Sequence, residues 1–205
     1  MKLWHCRDAR SFRVLWALEE LGLDYELVLL PFPPRWREPA YLEVNPLGTI
    51  PFFTDGAAAM TESAAIAEYL AVRHGTGTLA VSPDDADYGA WLNWLHYGEA
   101  TLTFPQTLVL RYTILEPEER RIPKVAADYL RWFLGRTLLA DRALADGREW
   151  LCAGRFTAAD ISVGYALLLA ATLGHLDQLS PGLQAYWARG QARDGFKRAK
   201  ARQGV

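Results

Sequence analysis

The sequence predicts a chain of two parts, a small α/β domain followed by an all-helical one. Three observations carry this. Short strand-like runs alternate with helical periodicities as far as His74. A stretch rich in Gly, Thr and Pro follows, from Gly75 to Pro83, and its composition is that of a linker. Beyond it the apolar residues recur at helical spacing, with no convincing strand pattern. The expected division is 1–76 for the α/β domain, 77–85 for the linker and 86–205 for the helical domain.

Lys2 to His5 reads as a short strand and Ser11 to Leu21 as a helix. Ser11 is a good N-cap, Phe12, Leu15, Trp16 and Leu18 supply an apolar face, and Gly22 stops the helix. Tyr25 to Leu30 is a second strand, ended by Pro31-Phe32-Pro33-Pro34, which no regular element tolerates. A short helix is expected at Pro39 to Glu43. Pro51 to Thr54 and Ala57 to Met60 form a hairpin about Asp55-Gly56. Ser63 to His74 is an amphipathic helix with Ile66, Tyr69 and Leu70 inward. The order βαβ-α-ββα is that of a thioredoxin-like domain.

In the second part, Asp84 to Tyr112 is a long helical pattern with a kink or break expected at Pro105. Trp91 and Trp94 on this stretch are assigned to packing. Glu118 to Ala145 reads as a helix or pair broken near Pro123, Thr157 to Leu173 as another helix, and shorter ones follow Pro181. Thr157 and Asp160 have capping-box spacing, with Asp in place of Glu, and Phe156 and Ile161 flank it as a hydrophobic staple. That motif serves folding, not chemistry.

Bulk properties narrow the function. The 205 residues are 51% hydrophobic and 22% charged, the make-up of a globular protein and not of a disordered one. A net charge of -2 leaves no electrostatic footprint for nucleic acid or an anionic membrane. Lys197, Arg198, Lys200 and Arg202 read as a solvated C-terminal tail. Cys6 and Cys152 form no C-x-x-C pair, which argues against a disulfide scaffold, a metal site or a dithiol redox motif. The N-terminus is too charged for a signal peptide, and Ile161 to Leu173 falls short of the ~20 residues that span a bilayer. A reducing cytoplasm is the expected location.

The richest stretch is Asn45-Pro46-Leu47-Gly48-Thr49-Ile50-Pro51, followed by Thr61-Glu62-Ser63 at the opening of a helix. An Ile-Pro bond is one where a cis peptide is cheap. Such a bond turns the Ile50 N–H and C=O outward, where an extended peptide can pair with them. The second piece offers a carboxylate, a hydroxyl and helix N-terminal N–H groups, a seat for an α-carboxylate. Together they describe a pocket for a small peptide with free α-amino and α-carboxyl ends.

The run NPLGTIPFFTDGAAAMTESAAIAEYLAVRHG resembles the glutathione-binding half of the cytosolic glutathione S-transferase family, and SFRVLWALEELGLDYELV resembles its first helix and second strand. The ordered resemblance runs from the N-terminus to Gly75, and WLHYGEATLTFPQTLVLRY is similar to a helix of bacterial and fungal-like members. It implies the glutathione transferase fold, glutathione as co-substrate, a homodimer and a part in detoxification. By the same resemblance Glu62 meets the γ-glutamyl amino group and Ser63 holds the α-carboxylate, while Thr49, Ile50 and Pro51 line the cysteinyl and glycyl part. Arg35 and Arg37 are either solvated loop charges or reach the glycine carboxylate.

Such chemistry needs an ionised ligand thiol. Free cysteine titrates near ~8.5, so lowering it by two units needs about 2.7 kcal/mol of preferential thiolate stabilisation. One hydrogen bond to a charged group contributes roughly 1.5–3 kcal/mol, so a single serine at a helix start suffices. Ser11 is the candidate, either as that donor or only as a helix cap. Relatives carry serine where this chain has Ala9, which leaves Arg10, Arg13 and the backbone N–H groups of residues 10 and 11 as alternatives. Cys6 is either a small strand-end residue or a thiol able to form a mixed disulfide, and His5 reads as a packed strand-end residue. Tyr97, Thr101, Phe104 and Tyr112 are the expected walls of an electrophile pocket beside Ser11. The expected function is conjugation of the glutathione thiolate to small hydrophobic electrophiles. The alternatives are a glutathione-dependent disulfide reductase or peroxidase on the same fold, and a non-enzymatic interaction module.

Overall fold

The computed structural model describes residues 1–204. They fall into two compact units, Met1–Ser82 together with the segment from Gln191 onward, and Pro83–Gly190.

The first unit is built on a four-stranded mixed sheet in the order β2-β1-β3-β4. β1 (Lys2–His5) pairs in parallel with β2 (Glu26–Leu29) and antiparallel with β3 (Phe52–Asp55), which pairs antiparallel with β4 (Ala58–Met60). The pleat turns Leu3 and His5 of β1 into the core. α1 (Phe12–Leu21) ends at Gly22, whose φ of +63° is the left-handed cap expected there. The helix expected at Pro39 to Glu43 becomes two single turns, α2 (Pro34–Arg37) and α3 (Tyr41–Val44), because Pro34 is well suited to a first-turn position. α4 (Ser63–Arg73) closes the series, with Ile66 and Leu70 buried and Tyr69 only partly so. The Tyr69 hydroxyl reaches outward to Asp55.

The C-terminal basic residues are not a solvated tail. They belong to α10 (Asp194–Arg202), which packs on α1 within the first unit. Phe196 sits edge-on to Phe12 and Trp16, with ring centroids 5.4 and 5.0 Å apart. Arg198 and Arg202 pair with Glu19, Arg193 with Glu20, and Lys200 with Asp8. Aromatic burial brings the helix back, and its basic face then meets acids on and beside α1.

The second unit is helical throughout. α5 (Tyr88–His96) runs into a π-helical stretch at Tyr97–Thr103 and then α6 (Phe104–Leu110). Pro105 therefore breaks nothing: it occupies the first turn of α6, where its missing N–H is harmless, and the widened π turn absorbs the misfit. The break expected near Pro123 is present: a single 3₁₀ turn at Glu118–Arg120 ends in extended backbone, and Pro123 then opens α7 (Pro123–Leu144). α8 (Ala158–Thr172) is the buried axis of this unit, with every residue from Ala158 to Ala170 buried. The capping box forms as expected. Asp160 accepts N–H bonds from Thr157 at 2.8 Å and Leu151 at 3.0 Å, and the Tyr186 hydroxyl at 2.9 Å. α9 (Pro181–Ala192) supplies that tyrosine.

Gly98 lies hard against α8. A Cβ there would lie 2.5 Å from Ser162 backbone and hydroxyl atoms, while the Ser162 hydroxyl donates to the Leu95 carbonyl at 2.6 Å. Gly98→Ala is expected to destabilise the protein by about 3 kcal/mol or more, since overpacking against backbone has no cheap relief. Urea unfolding midpoints check this; an unchanged midpoint would refute the close approach.

Candidate functional site

The N-P-x-G motif folds on its own asparagine. The buried Asn45 side chain accepts from the Leu47 N–H at 3.2 Å and donates to the Thr49 carbonyl at 2.8 Å. The Tyr41 hydroxyl donates to that same carbonyl at 2.8 Å. Gly48 sits at φ +60°, and a Cβ there would lie 2.6 Å from that of Arg35, so two reasons require glycine. Ile50-Pro51 is cis, as is Phe32-Pro33. Ile50 packs into a small buried cluster with Cys6 and Tyr41, against which Ala9 and Phe52 lie, while the Thr49 side chain is exposed.

Glu62 and Ser63 stand at the start of α4 as expected. Glu62 is exposed, with extended backbone and no capping bond from its side chain. Ser63 is buried, and its hydroxyl accepts from Nη1 of Arg13 at 3.2 Å. Arg13 itself has no exposed surface. A guanidinium placed there ties the first turn of α1 to the first residue of α4 and lends positive charge to that helix end. Arg35 and Arg37 are exposed on α2, Arg35 lying over the Trp36 ring.

Ser11 departs from both expectations. It stands before α1 with helical backbone and makes no capping bond, and it has no exposed surface. Its hydroxyl lies 2.7 Å from Nδ1 of His5, while Nε2 of His5 lies 2.8 Å from Oε1 of Gln203. An amide oxygen only accepts, so His5 carries its proton on Nε2 and Nδ1 accepts the proton of Ser11. The same hydroxyl accepts the Cys6 N–H at 3.3 Å. The Ser11 hydroxyl is thus engaged inside the core in this geometry.

The two neighbours on β1 are chemically quiet. Burial pushes the Cys6 thiol up to about 12, and its sulfur faces the Pro31 carbonyl at 3.7 Å. Burial lowers His5 to about 4, against which the bond to Gln203 works only in part. Arg10, half-buried, stands just ahead of α1. Among the expected wall residues, Phe104 is exposed and Thr101 and Tyr112 are partly so. Tyr97 is buried, gives its hydroxyl to the Arg136 carbonyl, and is pushed up to about 12 by burial. Arg13, Asn45 and Tyr41 are the supports that sequence reading undervalued. The Asx-type spacing of Asn45 to Leu47 was a usable signal, whereas nothing local marks the Arg13 partner 50 residues away.

Buried neutral His5 makes stability depend on pH. Unfolded, it takes up a proton near 6.5; folded, only near 4. The folded state therefore holds its full advantage above 6.5 and loses up to about 3 kcal/mol as the pH falls to about 4. Comparing urea midpoints of wild type and His5→Gln between pH 7 and 4.5 checks this. The wild type should lose stability faster, and parallel curves would count against it.

The sequence matches the family model for the glutathione S-transferase N-terminal domain over residues 9–73. Glutathione S-transferase 3 of Schizosaccharomyces pombe is 35% identical over 100 residues, 49% of this chain and 41% of that one. Measured against this relative, the match spans less than half its length. Glutathione S-transferase 3 of Zea mays is 29% identical over 202 residues, covering 92% of this chain and 87% of that one. Among solved structures, a sphingomonad glutathione S-transferase complexed with glutathione superimposes with a TM-score of 0.86 over the whole of both chains at 25% identity. Residues 9–73 thus match the glutathione S-transferase N-terminal domain, and the chain as a whole is similar in sequence and fold to glutathione S-transferases.

Proposed function

We propose that this protein conjugates the glutathione thiolate to small hydrophobic electrophiles. The observation that carries the reading is the start of α4, where Ser63 is braced by the fully buried Arg13 and Glu62 keeps an exposed carboxylate that caps nothing. In this reading Ser63 and its N–H hold the γ-glutamyl carboxylate and Glu62 takes the adjoining amino group. Because Ser63 accepts from Arg13, its own O–H proton is left to donate to that carboxylate. The peptide runs along Thr49, Ile50 and Pro51, whose backbone is steadied by Asn45 and Tyr41.

The sulfur is assigned to Arg10 and the backbone N–H groups at the start of α1, since the Ser11 proton is committed to His5. The thiol loses its proton to solvent, the thiolate forms a bond to the electrophilic carbon, and a leaving group, where there is one, departs with its electron pair. Holding both reactants on one protein contributes as much as ionising the thiol. Thr101, Phe104 and Tyr112, which keep exposed surface on the helical unit, are the proposed apolar contacts of the electrophile. A homodimer and a cytoplasmic location belong to the same proposal. The buried Cys6 thiol, held near 12, supports conjugation over disulfide exchange through that residue.

Titrating bound glutathione by thiolate absorbance tests the reading. Wild type should hold the thiol well below its free value near ~8.5, Ser11→Ala should keep that depression, and Arg10→Ala should return it toward the free value. Binding with no depression would remove conjugation and favour an interaction module. Separately, Ser63→Ala and Glu62→Ala should each weaken glutathione binding about tenfold or more, a loss of ~1.4 kcal/mol apiece. Calorimetry that found neither effect would move the peptide away from α4.

A further inference from the structure

The segment between β1 and α1 is held from far away in the chain. Asp8 lies at φ +51°, a left-handed conformation that few residues other than glycine adopt and that aspartate takes more readily than most. Gln203, just beyond α10, bonds to it there. It is buried, 3% exposed, and uses both ends of its amide. Oε1 accepts the Asp8 N–H at 2.9 Å and the His5 Nε2–H at 2.8 Å, and Nε2 donates to Oδ1 of Asp8 at 3.0 Å. Lys200 closes on the same carboxylate at 2.7 and 3.0 Å, and Arg7 donates to the carbonyls of Gln203 and Gly204 at 3.3 and 2.7 Å. From His5 two further links lead toward the helix start: His5 to Ser11, and Ser11 to the Cys6 N–H.

We propose that Gln203 is a positioning residue for the sulfur end of the site, holding residues 6–10 in the shape that presents Arg10 and the start of α1. The proposal rests on the glutathione-transferase reading above. Gln203 touches no ligand in it. It acts by gripping the left-handed turn at Asp8 on one side and the His5–Ser11 pair on the other. Loosening that grip lets the turn relax, and the donors at the start of α1 lose their common aim. The γ-glutamyl seat on α4 does not depend on this grip, because Ser63 is braced by Arg13.

Gln203→Met tests this, since methionine has nearly the same length and volume and can make none of the three bonds. The readouts are the thiol pKa of bound glutathione and the affinity for S-methylglutathione, which fills the peptide seat without a thiol to ionise. The expected result is a thiol pKa raised by about one unit, about tenfold less thiolate at a pH below both values, with S-methylglutathione affinity within about twofold of wild type. Gln203→Glu keeps both accepted bonds but sets a second carboxylate against that of Asp8 in place of the donated one, so its thiol pKa should also lie above that of wild type. It also serves as the test variant should methionine prevent folding. Equal thiol pKa values in wild type and both variants would overturn the inference and leave the transferase reading intact. A loss of S-methylglutathione binding in step with the thiol shift would overturn it too, because that is general damage. No depression in wild type would overturn the transferase reading itself, and this inference with it.

Discussion

Burial of α1 on every side is the constraint from which the first unit follows. Its residues from Phe12 to Glu19 are all buried, and two of them, Arg13 and Glu19, are ionisable. Charged groups taken out of water need partners, or the helix does not stay there. Arg13 finds the Ser63 hydroxyl, which ties the start of α4 to α1. Glu19 finds Arg198, Arg202 and the Tyr25 hydroxyl, which ties down α10 and the approach to β2. One buried helix thereby fixes both ends of the proposed ligand seat. The start of α4 hangs on the first tie, and the turn before α1 on the helix that the second tie brings back.

The site itself separates support from contact. Side chains that would meet a ligand, Glu62, Thr49 and Arg10, keep some surface, while those that aim them, Arg13, Asn45, Tyr41 and His5, are buried. Ser11 belongs to the second group. A serine before a helix has three uses for its hydroxyl, namely a cap, a ligand contact or a bond into the core. The imidazole 2.7 Å away takes the proton, so the third use prevails. The energetic argument that one hydroxyl suffices to ionise a thiol is sound as arithmetic, but it does not say where the hydroxyl points.

Local chemistry made much of this legible from residues alone. Strand alternation, the Gly22 stop, the Ile50-Pro51 dipeptide, the Glu62-Ser63 helix start and the Thr157–Asp160 box each depend on neighbours within a few positions, and each is found in the structure. The helical second unit was equally readable, because α8 is apolar on all faces and only the interior of a helical unit accepts such a helix. Pro105 shows the limit. Its sequence position announces a disturbance, yet it does not say that the helix answers with a π-helical stretch over Tyr97–Thr103.

By itself the sequence determined the order of the elements, the turn from Asn45 to Pro51 and the helix start at Glu62-Ser63, since these rest on short-range steric and hydrogen-bonding rules. Only the tertiary structure decided where the C-terminal residues go and what Ser11 does. The basic stretch from Lys197 to Arg202 looks like a solvated tail as long as its partners are unknown, and those partners, Glu19 and Asp8, lie almost a full chain length away. His5 and Gln203 are 198 residues apart and meet through a single side-chain bond. No periodicity records such a contact. Packing creates it, and the chemistry of one serine changes as a result.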